Sequence, residues 1–282
     1  MKSFLYILLV INFLLIIIYL IKQRYDTPDT PETPIKEEFY NLDETWGDNL
    51  KNSGYAIIPD IINVDDTVKL KKYVYDQVES DSLDLSPINN PKRRLDMIIP
   101  IEDIPKGIIK TVWGKLGNVL SKYDENPNVI ECSCFINFPN SSPQTWHSDV
   151  DTTNMKAENT KLFTIGILLE DTDKTMGALE VIDKSHIEDI DKKLHQRECN
   201  LQLQSVCGYF HNDVEYTSCT GNRGTVIIWD ARVKHRGGAN YSNKVRNMFY
   251  FSLLCGTSEI PEGITHSIED KYKETLLKIN DI

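Results

Sequence analysis

Beyond residue 128 the chain is written in short apolar runs separated by polar turns, and this spacing constrains the fold more than any other feature. The runs occupy residues 129–138, 162–169, 178–182, 208–210, 225–233 and 245–254. Short strands at such intervals point to an all-β sandwich or barrel. Upstream, residues 55–59 read as another strand. Residues 65–79 show helical spacing through Val68, Leu70, Val74 and Val78. A second helix is predicted over 108–120 through Ile109, Val112, Trp113 and Leu116. The expected domain is mainly β with flanking helices packed on its outside, and it contains no internal repeat.

The N-terminus is of a different character. Residues 4–21 are almost continuously apolar, with Asn12 the one strongly polar residue. At the helical rise about 18 such residues span about 27 Å, enough for a bilayer core. Lys22-Gln23-Arg24-Tyr25 follows, with no small-x-small cleavage site, so the segment reads as an uncleaved single-pass anchor. Lys2 and the free amine balance Lys22 and Arg24, which leaves the orientation open. Residues 25–38 contain three Thr-Pro pairs interspersed with acidic residues, an extended stalk about 40 Å long at polyproline rise. The expected organisation is an anchor over 1–24, a stalk over 25–38 and one domain over 39–282.

Net charge −11 repels nucleic-acid phosphates and so argues against nucleic acid as a main partner. The six cysteines show neither zinc-site nor redox-pair spacing. A period of two places Ile130, Cys132, Cys134, Ile136 and Phe138 on one apolar face, where the cysteines act as small core hydrophobes.

The chemistry centres on Gln144-Thr145-Trp146-His147-Ser148-Asp149. On an extended segment His147 and Asp149 point the same way and can grip one ion. His235 follows a strand further along. Two imidazoles and one carboxylate on one face of an octahedron form the facial triad of non-haem iron oxygenases, whose open positions take an oxoacid and oxygen. His-x-Asp alone is a weak signal, and His211-Asn212-Asp213 repeats it. The first pair is preferred because His211 leaves room for little more than one connection and one strand before His235. Eleven residues after His235, Arg246 opens a strand on which Arg246, Met248, Tyr250, Ser252 and Leu254 share a face. An arginine pointing into a β core needs an anion, either a protein carboxylate or a bound one that fits its planar fork.

These stretches resemble the phytanoyl-CoA dioxygenase family from Gly54 to Leu254. The resemblance is carried by Gly54-Tyr55-Ala56-Ile57-Ile58-Pro59, the 144–149 segment, and the run from Gly177 to His186. It continues through Gly224-Thr225-Val226-Ile227-Ile228-Trp229-Asp230 and the stretch from His235 to Arg246. It implies a double-stranded β-helix, a jelly-roll type barrel, with His147, Asp149 and His235 as metal ligands and Arg246 on the oxoacid. The implied activity is iron(II)- and 2-oxoglutarate-dependent hydroxylation, with ascorbate as a supporting reductant. Related halogenases replace the carboxylate with a small residue, so Asp149 implies hydroxylation. One position departs from the pattern. Family members often carry a hydroxyl two places after the second histidine, and here that place is Gly237; Ser252 or Tyr250 is the expected substitute.

Gln144 and Arg236 are the substrate-side candidates. Arg232, Lys234 and Arg236 are expected to form a positive rim and His186 a structural turn; Lys92-Arg93-Arg94 reads as a solvated basic face, with contact to an anionic substrate or the cosubstrate as the alternative. Two glycosylation sequons, Asn140-Ser141-Ser142 and Asn240-Tyr241-Ser242, flank the site, and a glycan at Asn240 would obstruct it. The expected substrate is a small molecule or a membrane-proximal target. The alternatives are a jelly-roll binding module that has lost turnover and a lectin-like module, which would not need Arg246.

Overall fold

The computed structural model describes residues 45–80, 93–150, 160–187, 215–257, 259–260, 264 and 266–282. The expected anchor and stalk, the 208–210 strand and the His211 pair lie outside these residues. Among the described residues no helix is long and apolar enough to cross a membrane.

Among the described residues three helices and ten strands follow in order: α1 (Thr45–Ser53), β1 (Tyr55–Ile58), α2 (Val64–Ser80), β2 (Arg94–Ile98), α3 (Asp103–Leu120), β3 (Asn128–Asn137) and β4 (Lys161–Leu168), then β5 (Leu179–Val181), β6 (Thr217–Cys219), β7 (Val226–Asp230), β8 (His235–Gly237), β9 (Arg246–Cys255) and β10 (Leu277–Lys278). A seven-stranded sheet runs β1-β7-β4-β9-β3-β10, with β2 also on β3, and a three-stranded sheet runs β6-β5-β8. Every ladder in both sheets is antiparallel. The result is a mainly antiparallel β domain consistent with the jelly-roll expectation.

The large sheet is buried on both faces, which is why its strands read as nearly unbroken apolar runs. Toward the small sheet it presents Leu168, Ile227, Trp229 and Met248, which pack with Leu179, Val181 and Cys219 across the gap. Its other face carries Phe249, Phe251, Cys132, Cys134 and Ile165, all fully buried. The apolar stripes of the helices are buried through Leu70, Val74 and Val78 on α2 and Ile109, Val112 and Leu116 on α3, whereas Val68, expected on the α2 stripe, is 48% exposed. Tyr75 on α2 reaches β9 by donating to Asn247 Oδ1 at 3.2 Å.

Two boundaries differ from the sequence reading for identifiable reasons. α3 begins at Asp103, five residues ahead of the expected start, and Pro105 lies in its first turn. A first turn has no intrahelical partner for its N–H groups, so proline is tolerated there. On β3 the register slips between Val129 and Glu131, a bulge in the ladder with β9. Ile130 therefore leaves the cysteine face and packs with Val150, Leu162 and Leu254. Cys132, Cys134 and Ile136 keep the expected alternation; strict period-two counting fails only at the bulge.

Candidate metal centre

The expected 225–233 run stops at Asp230, whose carboxylate accepts the Arg232 backbone N–H at 3.0 Å and turns the chain. The strand resumes as β8 in the opposite sheet, so His235 lies across the gap from Trp229. The 144–149 segment runs antiparallel to this connection. His147 N donates to His235 O at 3.0 Å, His235 N returns the bond to His147 O at 2.8 Å, and Asp149 N donates to Ala231 O at 2.9 Å. The two histidines are thus cross-strand neighbours with ring centroids 4.5 Å apart. One ligand atom each from His147, Asp149 and His235 lies within 4.8 Å of the others. Among the described residues no other group of three such side chains converges in this way.

Both imidazoles are oriented by the same device. His147 Nδ1 lies 2.9 Å from Thr145 O and His235 Nδ1 2.9 Å from Val233 O. A carbonyl only accepts, so each Nδ1 carries the hydrogen, and each ring in its neutral form presents the Nε2 lone pair inward. Trp229 Nε1 donates to Asp149 Oδ2 at 3.4 Å and steadies the carboxylate. Burial raises the Asp149 carboxyl, but the charges of His235 and His147 and the bonds from His235 and Trp229 outweigh it and leave it below its ordinary range. Burial depresses His235 and the Asp149 carboxylate more than reverses this, so His235 ends above its usual value. His147 is held below its own by burial and by His235.

Arg246 opens β9 on the same face as Met248, the face that packs toward Trp229 and the small sheet, and is 1% exposed. Its Nε and Nη1 are buried and have no hydrogen-bond partner. The protein carboxylate whose charge it feels most is Glu170. Glu170 is committed elsewhere, to Lys71 at 2.9 Å and to the Asn247 side-chain amide at 3.1 Å. Among the described residues no ion pair satisfies Arg246, a vacancy of the shape and charge that a carboxylate fills.

The remaining candidates are placed as follows. Gln144 Oε1 accepts from Gly237 N at 2.7 Å and so ties the 144–149 segment to β8. Arg236 Nε donates to Glu180 at 2.6 Å, and its guanidinium lies over Trp146 at 4.4 Å. Arg232 is paired with Asp230. Two of the three cations expected at the rim are therefore neutralised within the protein. Ser252 is fully buried and bonded to Thr164 Oγ1 at 3.0 Å and to the Glu131 carboxylate. His186 bonds the Lys51 carbonyl at 3.1 Å, close beneath Gly54.

One expectation needs correction. Arg94 does not belong to a solvated basic face; it opens β2, and its Nη2 donates to the carbonyls of Ser142 and Gly238, both at 2.6 Å. The Asn240 sequon is a turn and offers no modification site. Asn240 is fully buried, its Nδ2 donates to Asn137 O and Lys244 O, and its Oδ1 accepts from Ser242.

The sequence reading also missed a polar lining on the site-facing side of the large sheet. Tyr250 Oη donates to Asp96 at 3.0 Å, and Ser252 engages Glu131. Burial pushes Asp96 up to about 6 and Glu131 up to about 7, with the Asp149 charge adding to both. Glu131 carried a usable signal, being one charged residue in an otherwise apolar run on the Tyr250 and Ser252 side. Asp96 carried none, because β2 was not foreseen.

Fold and site together define a class: an antiparallel double-sheet scaffold with a two-histidine, one-carboxylate centre and, on the sheet face toward it, a buried arginine with unpartnered donors. Residues 109–248 match the family model of phytanoyl-CoA dioxygenase, and over that stretch the chain belongs to the phytanoyl-CoA dioxygenase family. No curated protein sequence matches the chain. Similar solved structures include the non-heme alpha ketoglutarate dependent carbocyclase SnoK from nogalamycin biosynthesis, at 12% identity and TM-score 0.55, over 76% of this chain and 85% of that one. EctD from S. alaskensis, solved with 2-oxoglutarate and 5-hydroxyectoine, aligns at 18% identity and TM-score 0.55, covering 81% of this chain and 82% of its own. EvdO2 from Micromonospora carbonacea var. aurantiaca aligns at 16% identity and TM-score 0.55, over 78% and 95%. At these identities the likeness is one of fold.

Proposed function

We propose that this protein is an iron(II)- and 2-oxoglutarate-dependent dioxygenase that hydroxylates a C–H bond of its substrate and releases succinate and carbon dioxide. The observation that carries the proposal is the convergence of His147, Asp149 and His235 within 4.8 Å, together with an arginine on the site-facing side of the large sheet whose buried Nε and Nη1 have no partner. The donor set suits the metal: imidazole and carboxylate together are the ligands of non-haem iron(II) oxygenases. The unpaired fork of Arg246 suits the distal carboxylate of an oxodiacid. When bound, iron(II) and the oxoacid together supply oxygen activation at the cost of oxidative decarboxylation.

The chain's own residues supply position. His147 and His235 present Nε2, fixed by their Nδ1–H bonds to Thr145 and Val233. Asp149 contributes the negative charge that keeps a divalent ion from being strongly cationic, and Trp229 aims it. Arg246 would hold the distal carboxylate of the cosubstrate through its unpartnered donors. Asp96, Glu131 and Tyr250 line the same side and are the groups that a substrate would meet. An anchor over 4–21 and a stalk over 25–38 would hold this site near a membrane surface, which favours a small or membrane-proximal substrate.

The test is succinate release from 2-oxoglutarate by the full chain with iron(II) and ascorbate, beside the Asp149→Ala variant. Iron-dependent succinate that is lost in the variant supports the reading, even as slow turnover without substrate. If the metal-loaded chain neither releases succinate nor binds 2-oxoglutarate, the reading fails and a binding module without turnover replaces it.

A further inference from the structure

The face of the large sheet that looks toward the metal centre changes character along its strands. Period two and the ladder register put Glu131 and Phe135 of β3 on it, with Tyr250 and Ser252 of β9 on one side and Asp96 and Ile98 of β2 on the other. Tyr250 Oη lies 3.0 Å from both oxygens of Asp96, and Ser252 Oγ bonds the Glu131 carboxylate. Both partners are neutral hydroxyls. Among the described residues neither carboxylate has an ion pair. Burial brings Asp96 up to about 6 and Glu131 up to about 7, and the Asp149 charge adds to both, so three carboxylates share one field. Asp96 is nonetheless exposed. A carboxyl that is desolvated by its surroundings yet reached by water lines a recess open to solvent.

Two further observations show that this face is built for ligands. Arg246 lies on it four residues before Tyr250, about 14 Å away along β9, with Nε and Nη1 buried and unpartnered. That end suits the oxoacid, and the acidic end is left for a second molecule. Beside the carboxylates the lining is apolar or aromatic: Ile98 is 42% exposed and Phe135 is half-buried. A second metal ion does not fit, because among the described residues Asp96 and Glu131 join no group of three metal-ligating side chains. Carboxylates buttressed by hydroxyls, next to aromatic rings, suit an ammonium carried on an apolar body. The net charge of −11 draws cations toward such a recess and repels anions.

We propose that Asp96 and Glu131 form a cation subsite, and that the substrate of this protein is a small organic amine whose ammonium group they hold beside the metal centre. The inference rests on the oxygenase reading and deepens it by assigning the class of substrate. Tyr250 and Ser252 position the two carboxylates, which keep further lone pairs for the guest. Burial of the pair costs the empty protein stability, and a bound ammonium offsets that cost.

The test titrates n-butylammonium and, separately, the neutral isostere n-butanol into the full chain carrying zinc(II) and 2-oxoglutarate, a combination that does not turn over. Binding is read by ligand-observed saturation-transfer NMR. The native chain is expected to prefer the ammonium by roughly 10- to 100-fold, the worth of one charge-assisted contact. Glu131→Gln and Asp96→Asn, which keep the shape and remove the charge, should each reduce that preference by about 10-fold. Because the preference is a ratio read within one protein, it does not depend on the stability of a variant. No preference for the ammonium in the native chain, or a preference that survives unreduced in both variants, would overturn the amine subsite. Binding of 2-oxoglutarate by the same zinc-loaded chain is measured first. Where it is present, the oxygenase reading stands whatever the amine result; its absence would overturn both.

Discussion

Replacing Arg246 with methionine should raise the stability of the ligand-free protein and abolish its response to 2-oxoglutarate. The side chain is 1% exposed, its Nε and Nη1 are unpartnered, and burial brings it down to about 10. The protein thus bears the desolvation cost of a guanidinium without a full return. An apolar side chain of similar length removes that cost and keeps the packing, worth about 1–3 kcal/mol where a buried charge is replaced by a hydrophobe. Glu170 is not orphaned by the change, since Lys71 at 2.9 Å and the Asn247 amide remain. For a domain of this size 1 kcal/mol corresponds to roughly 2–4 °C, so Tm should rise by about 2–12 °C. At a hundred times its Kd, 2-oxoglutarate should stabilise the metal-loaded native chain by about 2.7 kcal/mol, roughly 5–11 °C. The variant should gain almost nothing. Oxoacid therefore closes the gap between the two melting curves, and inverts their order wherever the variant's ligand-free gain is below about 2.7 kcal/mol, which thermal unfolding by circular dichroism reads directly. A ligand-free variant that melts several degrees below the native chain would refute the reasoning, because Arg246 would then be a structural ion-pair partner. An equal oxoacid shift in both proteins would refute it as well.

Other expectations follow from single residues. Burial lifts Glu131 from 4.5 to about 7, so between those values the native state binds more protons than the unfolded one and stability falls as pH rises. Glu131→Gln should flatten this decline in a pH series of chemical denaturation, and an unchanged slope would reject the assignment. Gly224 has φ +86, and a Cβ there would sit 1.9 Å from the Ile62 carbonyl oxygen. Gly224→Ala should cost on the order of 2–4 kcal/mol in urea unfolding, whereas a loss under about 0.5 kcal/mol would mean that the turn shifts freely. Asn240 should carry no glycan even in a glycosylating host, because its amide is buried and spent on Asn137 and Lys244. A mass increment at Asn240 in peptide mapping would contradict this.

The strands β1, β3, β4, β5, β7 and β9, the alternating face of β9 and the shared direction of His147 and Asp149 were legible because each depends on local periodicity. Period two in an extended chain sends Arg246, Met248, Tyr250 and Ser252 to one side wherever that strand is placed. It likewise sends His147 and Asp149 the same way. The failures share one cause. The bulge at Val129–Glu131, the strand β2 and the burial of Asn240 all depend on what the segment packs against, and nothing local records a neighbour. Arg94 shows this most directly. Within Lys92-Arg93-Arg94 it reads as one more solvated cation, and only pairing with β3 turns it inward over Gly237.

By itself the sequence determined the chemistry that is available: two histidines, a carboxylate, and an arginine on an apolar strand, in an order that resembles one family. Only the tertiary structure decided which of these groups meet. His147 and His235 become hydrogen-bonded neighbours because the turn after Asp230 carries the chain into the opposite sheet. Arg246 is left without a counter-charge because Glu170 is spent on Lys71 and Asn247, side chains of α2 and the far face of β9. Side-chain direction is a local property of the backbone, whereas the pairing of charges over long sequence distances is set by packing, and the site requires both.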